Sequence, residues 1–268
     1  MINQDTLKII FILLIASCFG GCSASSLMAD QFKSGVNEYR KDLSTSVLIH
    51  MDIDTMFPDQ NLRALARAAA NGQIGEIDQL LAQGLDVNAK GTGNATVLFW
   101  ALRNSDGFEY LLKKGADPNV VFDDGGSVMH WVARQADCTM LNTALLHGGD
   151  PNLRAGLFGG SPIFKTVTVG KNDIIPNCLK LLVSIGADIN LRDEQGKSVL
   201  LLSADLARFD IALYLLENGA NPSLKDNKGR SIRDFLKSYE DAFEKGSTTE
   251  KYWKQVDAWL ETNKQQQL

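Results

Sequence analysis

The sequence predicts an all-α fold: a solenoid of about five stacked helical repeats closed by capping helices, preceded by a signal and tether and followed by one further helix. Two observations predict it. One helix ending is written five times, as LLAQGLDVN at 80–88, LLKKGADPN at 111–119, ALLHGGDPN at 144–152, LVSIGADIN at 182–190 and LLENGANPS at 215–223. The copies end at 88, 119, 152, 190 and 223, so successive spacings are 31, 33, 38 and 33 residues. A helix-starting motif runs in step with them, about eight residues after each turn: TVLFWA at 96–101, SVMHWVA at 127–133, SPIFKTV at 161–167 and SVLLLSA at 198–204.

Each part of the phrase has a physical task. The paired apolar residues are the last buried contacts of a helix. Gly84, Gly115, Gly148, Gly186 and Gly219 stand where a helix closes with a left-handed residue. Asp then accepts backbone N–H groups in the turn, and Pro118, Pro151 and Pro222 prevent the helix from restarting. In the second motif the leading Ser or Thr caps a new helix, and Pro162 suits a first helical turn. A period near 33 with both motifs in phase resembles the ankyrin repeat, whose helix start reads T-P-L-H-x-A. Only His130 keeps the family histidine and only Pro162 its proline, so the repeats are degenerate.

The elements follow in order. Residues 1–22, MINQDTLKIIFILLIASCFGGC, carry a lysine before an apolar run too short to span a bilayer, as in a secretory signal. IASC ending at Cys18 resembles the bacterial lipoprotein box, and FGGC ending at Cys22 is a second, poorer match. That resemblance implies cleavage before one of these cysteines and lipid on it; an ordinary cleaved signal peptide is the alternative. Both predict export, in a Gram-negative cell, and the lack of an aspartate after either Cys implies the outer membrane. Residues 23–56 begin as a flexible tether, SASS, and end in SVLIHMDIDTMF, apolar enough to pack on the first repeat. The repeat domain is expected over 57–245. It opens with DQNLRALARAAANG as a capping helix and closes with RSIRDFLKSYEDAFEKG. In 246–268 an amphipathic helix places Tyr252, Trp253, Val256 and Leu260 on one side, before a polar tail.

Forty-four per cent apolar residues suffice for a large core, which a solenoid builds between neighbouring repeats. A formal charge of −5 with no basic stripe argues against nucleic acid. No H-E-x-x-H, G-x-S-x-G, Walker A or C-x-x-C occurs, and neither a cofactor nor a metal is expected. His50 and His147 lack partners at ligand or triad spacing, and the DID at 52–54 and DD at 123–124 read as solvated loop carboxylates. His130 occupies the slot where the family histidine bridges neighbouring repeats. Cys138 and Cys178 lie in second helices of adjacent repeats at non-matching offsets; export permits a disulfide, yet two free buried thiols are expected. The chain reads as a binder and not an enzyme.

The resemblance also implies where a partner docks: on loop fingers and on the concave face of the first helices. In register the fingers are 89–95, 120–126, 153–160, 191–197 and 224–230. Phe122, Leu157 and Phe158 stand among finger glycines and are expected to project as apolar anchors, with Arg154 beside them. Trp100 and Trp131 hold equivalent places on the concave side, each with one exposed edge, and Asp123, Asp124, Arg134, Asp193 and Glu194 would form a polar rim.

The stretch TVLFWALRNSDGFEYLLKKGADPN, followed by GGSVMHWVA and GGSPIF, carries a narrower likeness over roughly 57–235. With the lipoprotein signal, it resembles ankyrin lipoproteins encoded beside type VI secretion effectors of the phospholipase class. Those are immunity proteins that bind an incoming lipase in the periplasm. The resemblance implies a monomer that occludes a lipase-type toxin without turnover, held at the membrane by its lipid anchor alone. The alternative is a periplasmic scaffold that stabilises an envelope enzyme or complex.

Overall fold

The helix endings behave as their residues dictate. In a computed structural model that describes residues 47–156, 158–170, 173–240 and 242–263, Gly115 sits at φ 90°, and the four equivalent glycines are likewise left-handed. The following carboxylate forms the turn, as where Asp117 Oδ1 accepts Asn119 N at 2.8 Å. The terminal asparagine does more than turn the chain. Asn88 Nδ2 donates to Gly115 O (2.9 Å) while its Oδ1 accepts Asp117 N (2.8 Å). Asn119 repeats the bond pair to Gly148 O and Asp150 N, and Asn152 and Asn190 accept from Asp188 N and Asn221 N. One side chain per repeat therefore stitches each turn to the next.

The helices run α1 (Ile53–Met56), α2 (Gln60–Ala70), α3 (Ile74–Ala82), α4 (Val97–Trp100), α5 (Ser105–Lys113), α6 (Val128–Ala133) and α7 (Thr139–Leu146). They continue as α8 (Pro162–Thr166), α9 (Asn177–Ser184), α10 (Val199–Asp205), α11 (Phe209–Glu217), α12 (Ile232–Ser238) and α13 (Thr248–Thr262). Short first helices alternate with longer second helices, and the core lies between them: Phe108, Leu111, Met129, Leu141, Ile163 and Leu179 are all fully buried. Packing is close enough that a Cβ at Gly107 in α5 would run into the Ala69 carbonyl of α2.

The expected caps form at Thr96, Ser127 and Ser198, each accepting the backbone N–H three residues on. At α8 Pro162 takes the first helical position but Ser161 Oγ, though buried, finds no hydrogen-bond partner among the described residues. In the equivalent place the Ser127 hydroxyl also meets His130 Nδ1; Phe164 stands where that histidine would be. At the N-terminal end Leu48, Met56 and Phe57 are buried against the first repeat, as their hydropathy predicts. Asp52 caps α1 through Thr55 N and Asp54 pairs with Arg63 at 2.6 Å, so these carboxylates serve local structure. At the other end α13 buries Val256 and Leu260, and Trp253 Nε1 donates to Leu236 O at 2.9 Å.

The 38-residue spacing has a definite location. Between α8 and α9 the segment 167–176 is longer than any other link inside a repeat. It is pinned from both sides. Arg208, buried, donates to Val167 O (2.9 Å), Val169 O (3.0 Å) and Ile174 O (3.4 Å). Its Nε and Nη2 meet the two oxygens of buried Asp210 at 3.0 Å each, and Asp210 also accepts Asp173 N at 3.1 Å. On the preceding side Cys138 and Cys178 form a disulfide, with Cα atoms 5.2 Å apart. The expectation of two free thiols is thereby corrected. Cys178 in the first turn of α9 comes alongside Cys138, the residue before α7, although the two are out of register in sequence.

Candidate partner-binding surface

Four of the five fingers are hairpin-like turns closed by an antiparallel bridge: Lys90 with Thr96, Val121 with Ser127, Ala155 with Gly160, Arg192 with Ser198. They are also bonded to one another. Asp123 N donates to Gly93 O (3.0 Å), Gly156 N to Gly125 O, Glu194 N to Phe158 O (2.7 Å) and Asn227 N to Gln195 O (2.9 Å). The fingers thus form a continuous backbone ladder and not a row of independent loops.

That ladder changes the expected anchors. Phe122 is not exposed: it is 3% accessible, and its ring meets Phe99 edge-on at 5.0 Å. The reason is the hairpin pleat. Phe122 N bonds to Gly126 O (2.8 Å), which turns its side chain inward while the neighbouring Val121 points out at 40% exposure. Phe158 is half-buried and packs against the core, so with Phe122 turned inward these two do not stand out as exposed anchors; Leu157 lies outside the described residues. Arg154 is exposed.

The acidic rim divides in the same way. Asp193 is buried and its Oδ1 accepts Lys197 N at 2.8 Å, which removes it from the surface as a turn-former. Asp124 Oδ1 accepts Gly126 N at 2.9 Å and is half-buried. Asp123 is exposed but its Oδ1 accepts Asn94 Nδ2 from the preceding finger at 2.5 Å. Glu194 remains exposed. Cys18 and Cys22 lie outside the described residues.

The first-helix face carries the clearer arrangement. Trp100 and Trp131, both half-buried, are built alike. Phe57 meets the edge of Trp100 at 6.2 Å and the Arg103 guanidinium covers the ring at 3.6 Å. One repeat on, Phe99 meets Trp131 at 6.0 Å and Arg134 lies over that ring at 4.8 Å. Each indole is held between an aromatic ring of the preceding segment and an arginine three residues further along its own. Burial lowers the pKa of both guanidiniums from the ordinary arginine value. In the next repeat Lys165 takes the place of the tryptophan, and burial pulls its ammonium down to about 8. Arg103 is the residue the sequence reading missed; the W-x-x-R spacing shared by 100/103 and 131/134 was the available signal.

His130 is structural, as its slot implies. Its Nε2 lies 2.9 Å from Gly160 O, and a carbonyl only accepts, so Nε2 carries the proton and Nδ1 accepts the Ser127 hydroxyl at 2.8 Å. Burial pushes its pKa from 6.5 down to about 4. Between those values the unfolded chain binds a proton that the folded one refuses. The stability is therefore complete above about pH 6.5 and is lost as pH falls toward 4. His130→Gln should lower stability near pH 7 and flatten the acid slope by up to about 1.4 kcal/mol per pH unit in that window. Urea unfolding at several pH values checks this; parallel curves for both proteins would contradict it.

Comparisons with known proteins follow this geometry. The family model described as Ankyrin repeats (3 copies) matches residues 36–121 and 129–226. Protein PhlB of Serratia liquefaciens is 33% identical over 147 residues, covering 54% of this chain and 63% of that protein. Neurogenic locus notch homolog protein 1 of Mus musculus is 32% identical over 136 residues, 50% of this chain and 5% of its own length. The chain therefore spans less than two thirds of either relative. The crystal structure of an ankyrin repeat domain from Acinetobacter baumannii AYE is similar with a TM-score of 0.60 at 25% identity, covering 72% of this chain and 97% of that one.

Proposed function

The chain belongs to the ankyrin-repeat family, and from that membership we propose that it is a protein-binding module of the bacterial cell envelope. On this reading it is a lipid-anchored, periplasm-facing immunity protein that neutralises a lipase-type toxin by covering it. The observation that carries the binding role is the finger ladder bonded from repeat to repeat, with Trp100 and Trp131 aligned beside it. A surface already fixed in shape loses little entropy when a partner docks. The Cys138–Cys178 disulfide supports the export reading, because such bonds persist in oxidising compartments. The toxin class rests on the resemblance of 96–119 and the GGSVMHWVA and GGSPIF segments to immunity lipoproteins. Anchoring by lipid at Cys18 or Cys22 would concentrate the binder where such a toxin acts.

Two measurements test this. Co-expression with a neighbouring lipase-type effector directed to the periplasm should restore growth, and the two proteins should co-purify in equal amounts. Cys18→Ala with Cys22→Ala should move the chain from the membrane to the soluble fraction and weaken protection. Growth arrest despite full expression sinks the immunity role. Loss of an envelope enzyme on deletion, with no toxin present, favours the scaffold alternative.

A further inference from the structure

We propose that the Trp100–Arg103 and Trp131–Arg134 pairs form a two-point receptor for an acidic segment of the protein partner. This rests on the binding role above and gives its recognition chemistry. The Arg103 guanidinium makes one hydrogen bond, to the Trp100 carbonyl at 3.0 Å, and the Arg134 guanidinium makes none among the described residues. Neither meets a carboxylate within ion-pair distance among those residues, although the chain carries 32 acidic side chains. Arg103 is exposed and Arg134 half-buried; elsewhere the partly or fully buried arginines are matched to carboxylates, as Arg208 to Asp210 at 3.0 Å and Arg230 to Asp226 at 2.7 Å.

A guanidinium stacked on an indole keeps its planar fork of donors facing outward, oriented and partly stripped of water. That geometry is suited to bidentate capture of a carboxylate. The ring below prevents the fork from folding away, so the entropy lost on binding is small. The same construction on neighbouring first helices sets two such forks roughly 10 Å apart, a typical helix–helix spacing. Carboxylates about 10 Å apart on one face occur seven residues apart on a helix. A densely charged phosphate backbone suits the site less well, since exposed Asp123 stands on the adjoining finger and the chain is −5 overall. Spaced carboxylates on a polypeptide avoid that repulsion. A partner side chain reaching the exposed indole edges would add apolar contact between the two points.

The test uses the full chain and octaglutamate as probe, with octaglutamine, inorganic phosphate and anionic lipid vesicles as controls. Indole fluorescence is the readout at low ionic strength, where such contacts are strongest. Octaglutamate should give a saturable change that octaglutamine does not. Arg103→Gln with Arg134→Gln should raise the half-saturating concentration at least tenfold while the melting temperature is retained. Arg103→Lys with Arg134→Lys should fall between, because charge remains and the fork is lost. An absent response in the parent chain, an unchanged response in the double Gln variant, or tighter binding of phosphate or vesicles overturns the proposal. Co-purification separates it from the binding role. A partner retained by the double Gln variant removes this site and leaves the role standing. A parent chain that captures no effector removes both.

Discussion

Arg208→Ala is expected to be the most damaging single substitution outside the hydrophobic core, at roughly 3–5 kcal/mol, the range for breaking a buried ion pair from one side. The side chains of Arg208 and Asp210 are 8% and 1% exposed, so water cannot screen the carboxylate left behind. The loss extends beyond the pair. Val167, Val169 and Ile174 carbonyls lose their donor, and these lie on the long link between α8 and α9. A solenoid is stabilised by contacts between neighbouring repeats, so a lesion at this seam should uncouple the two halves and not lower stability evenly. Denaturation should then show two phases, the C-terminal repeats melting first. Arg208→Met with Asp210→Asn removes the buried charges together and should cost less than Arg208→Ala alone. A single transition shifted by under about 1 kcal/mol would show that the link holds itself in place.

The parts of this fold legible in the sequence are those decided by neighbouring residues. A left-handed Gly115, a turn closed by Asp117 and a helix capped by Ser127 each depend on a few adjacent positions, and the structure reproduces them. The stitching role of Asn88 and Asn119 was harder to see, because each bonds to a repeat about thirty residues away. The candidate site was less legible for the same reason. Phe122 lies in a finger by register, but a finger is a hairpin, and its pleat decides between inside and outside. The exposed Val121 and buried Phe122 follow that alternation, which the loop assignment ignored. Register alone places Asp193 on the surface, but a carboxylate two or four residues before turn N–H groups commonly serves the turn itself. Arg103 escaped notice because an arginine near a helix end is ordinary; its meaning appears only when the ring beneath it is placed.

Reducing the disulfide should cost about 3–4 kcal/mol, the value for closing a loop of some forty residues in the unfolded chain. Cys138 and Cys178 are 40 positions apart, and the enclosed segment contains a finger, α8 and the long link. With the bond open, that segment regains freedom in the unfolded state, while the folded repeats retain their apolar contacts. Cys138→Ser with Cys178→Ser should therefore still fold but melt lower. Hydrogen exchange should quicken chiefly across 139–177 and leave α2 to α5 protected, since coupling in a solenoid runs between neighbours. Bond and link also act in concert: Cys178 fastens the far end of the segment whose near end Arg208 holds through Val167 and Val169. Opening the disulfide in the Arg208→Ala chain should accordingly cost more than the two losses added, because each fastening alone still restrains the link. Alkylation followed by mass spectrometry supplies the control. In the native, unreduced chain neither cysteine should be labelled, and both should be labelled after dithiothreitol. Labelling of both before reduction, or a melting temperature indifferent to dithiothreitol, would mean that the link is held by Arg208 and packing alone.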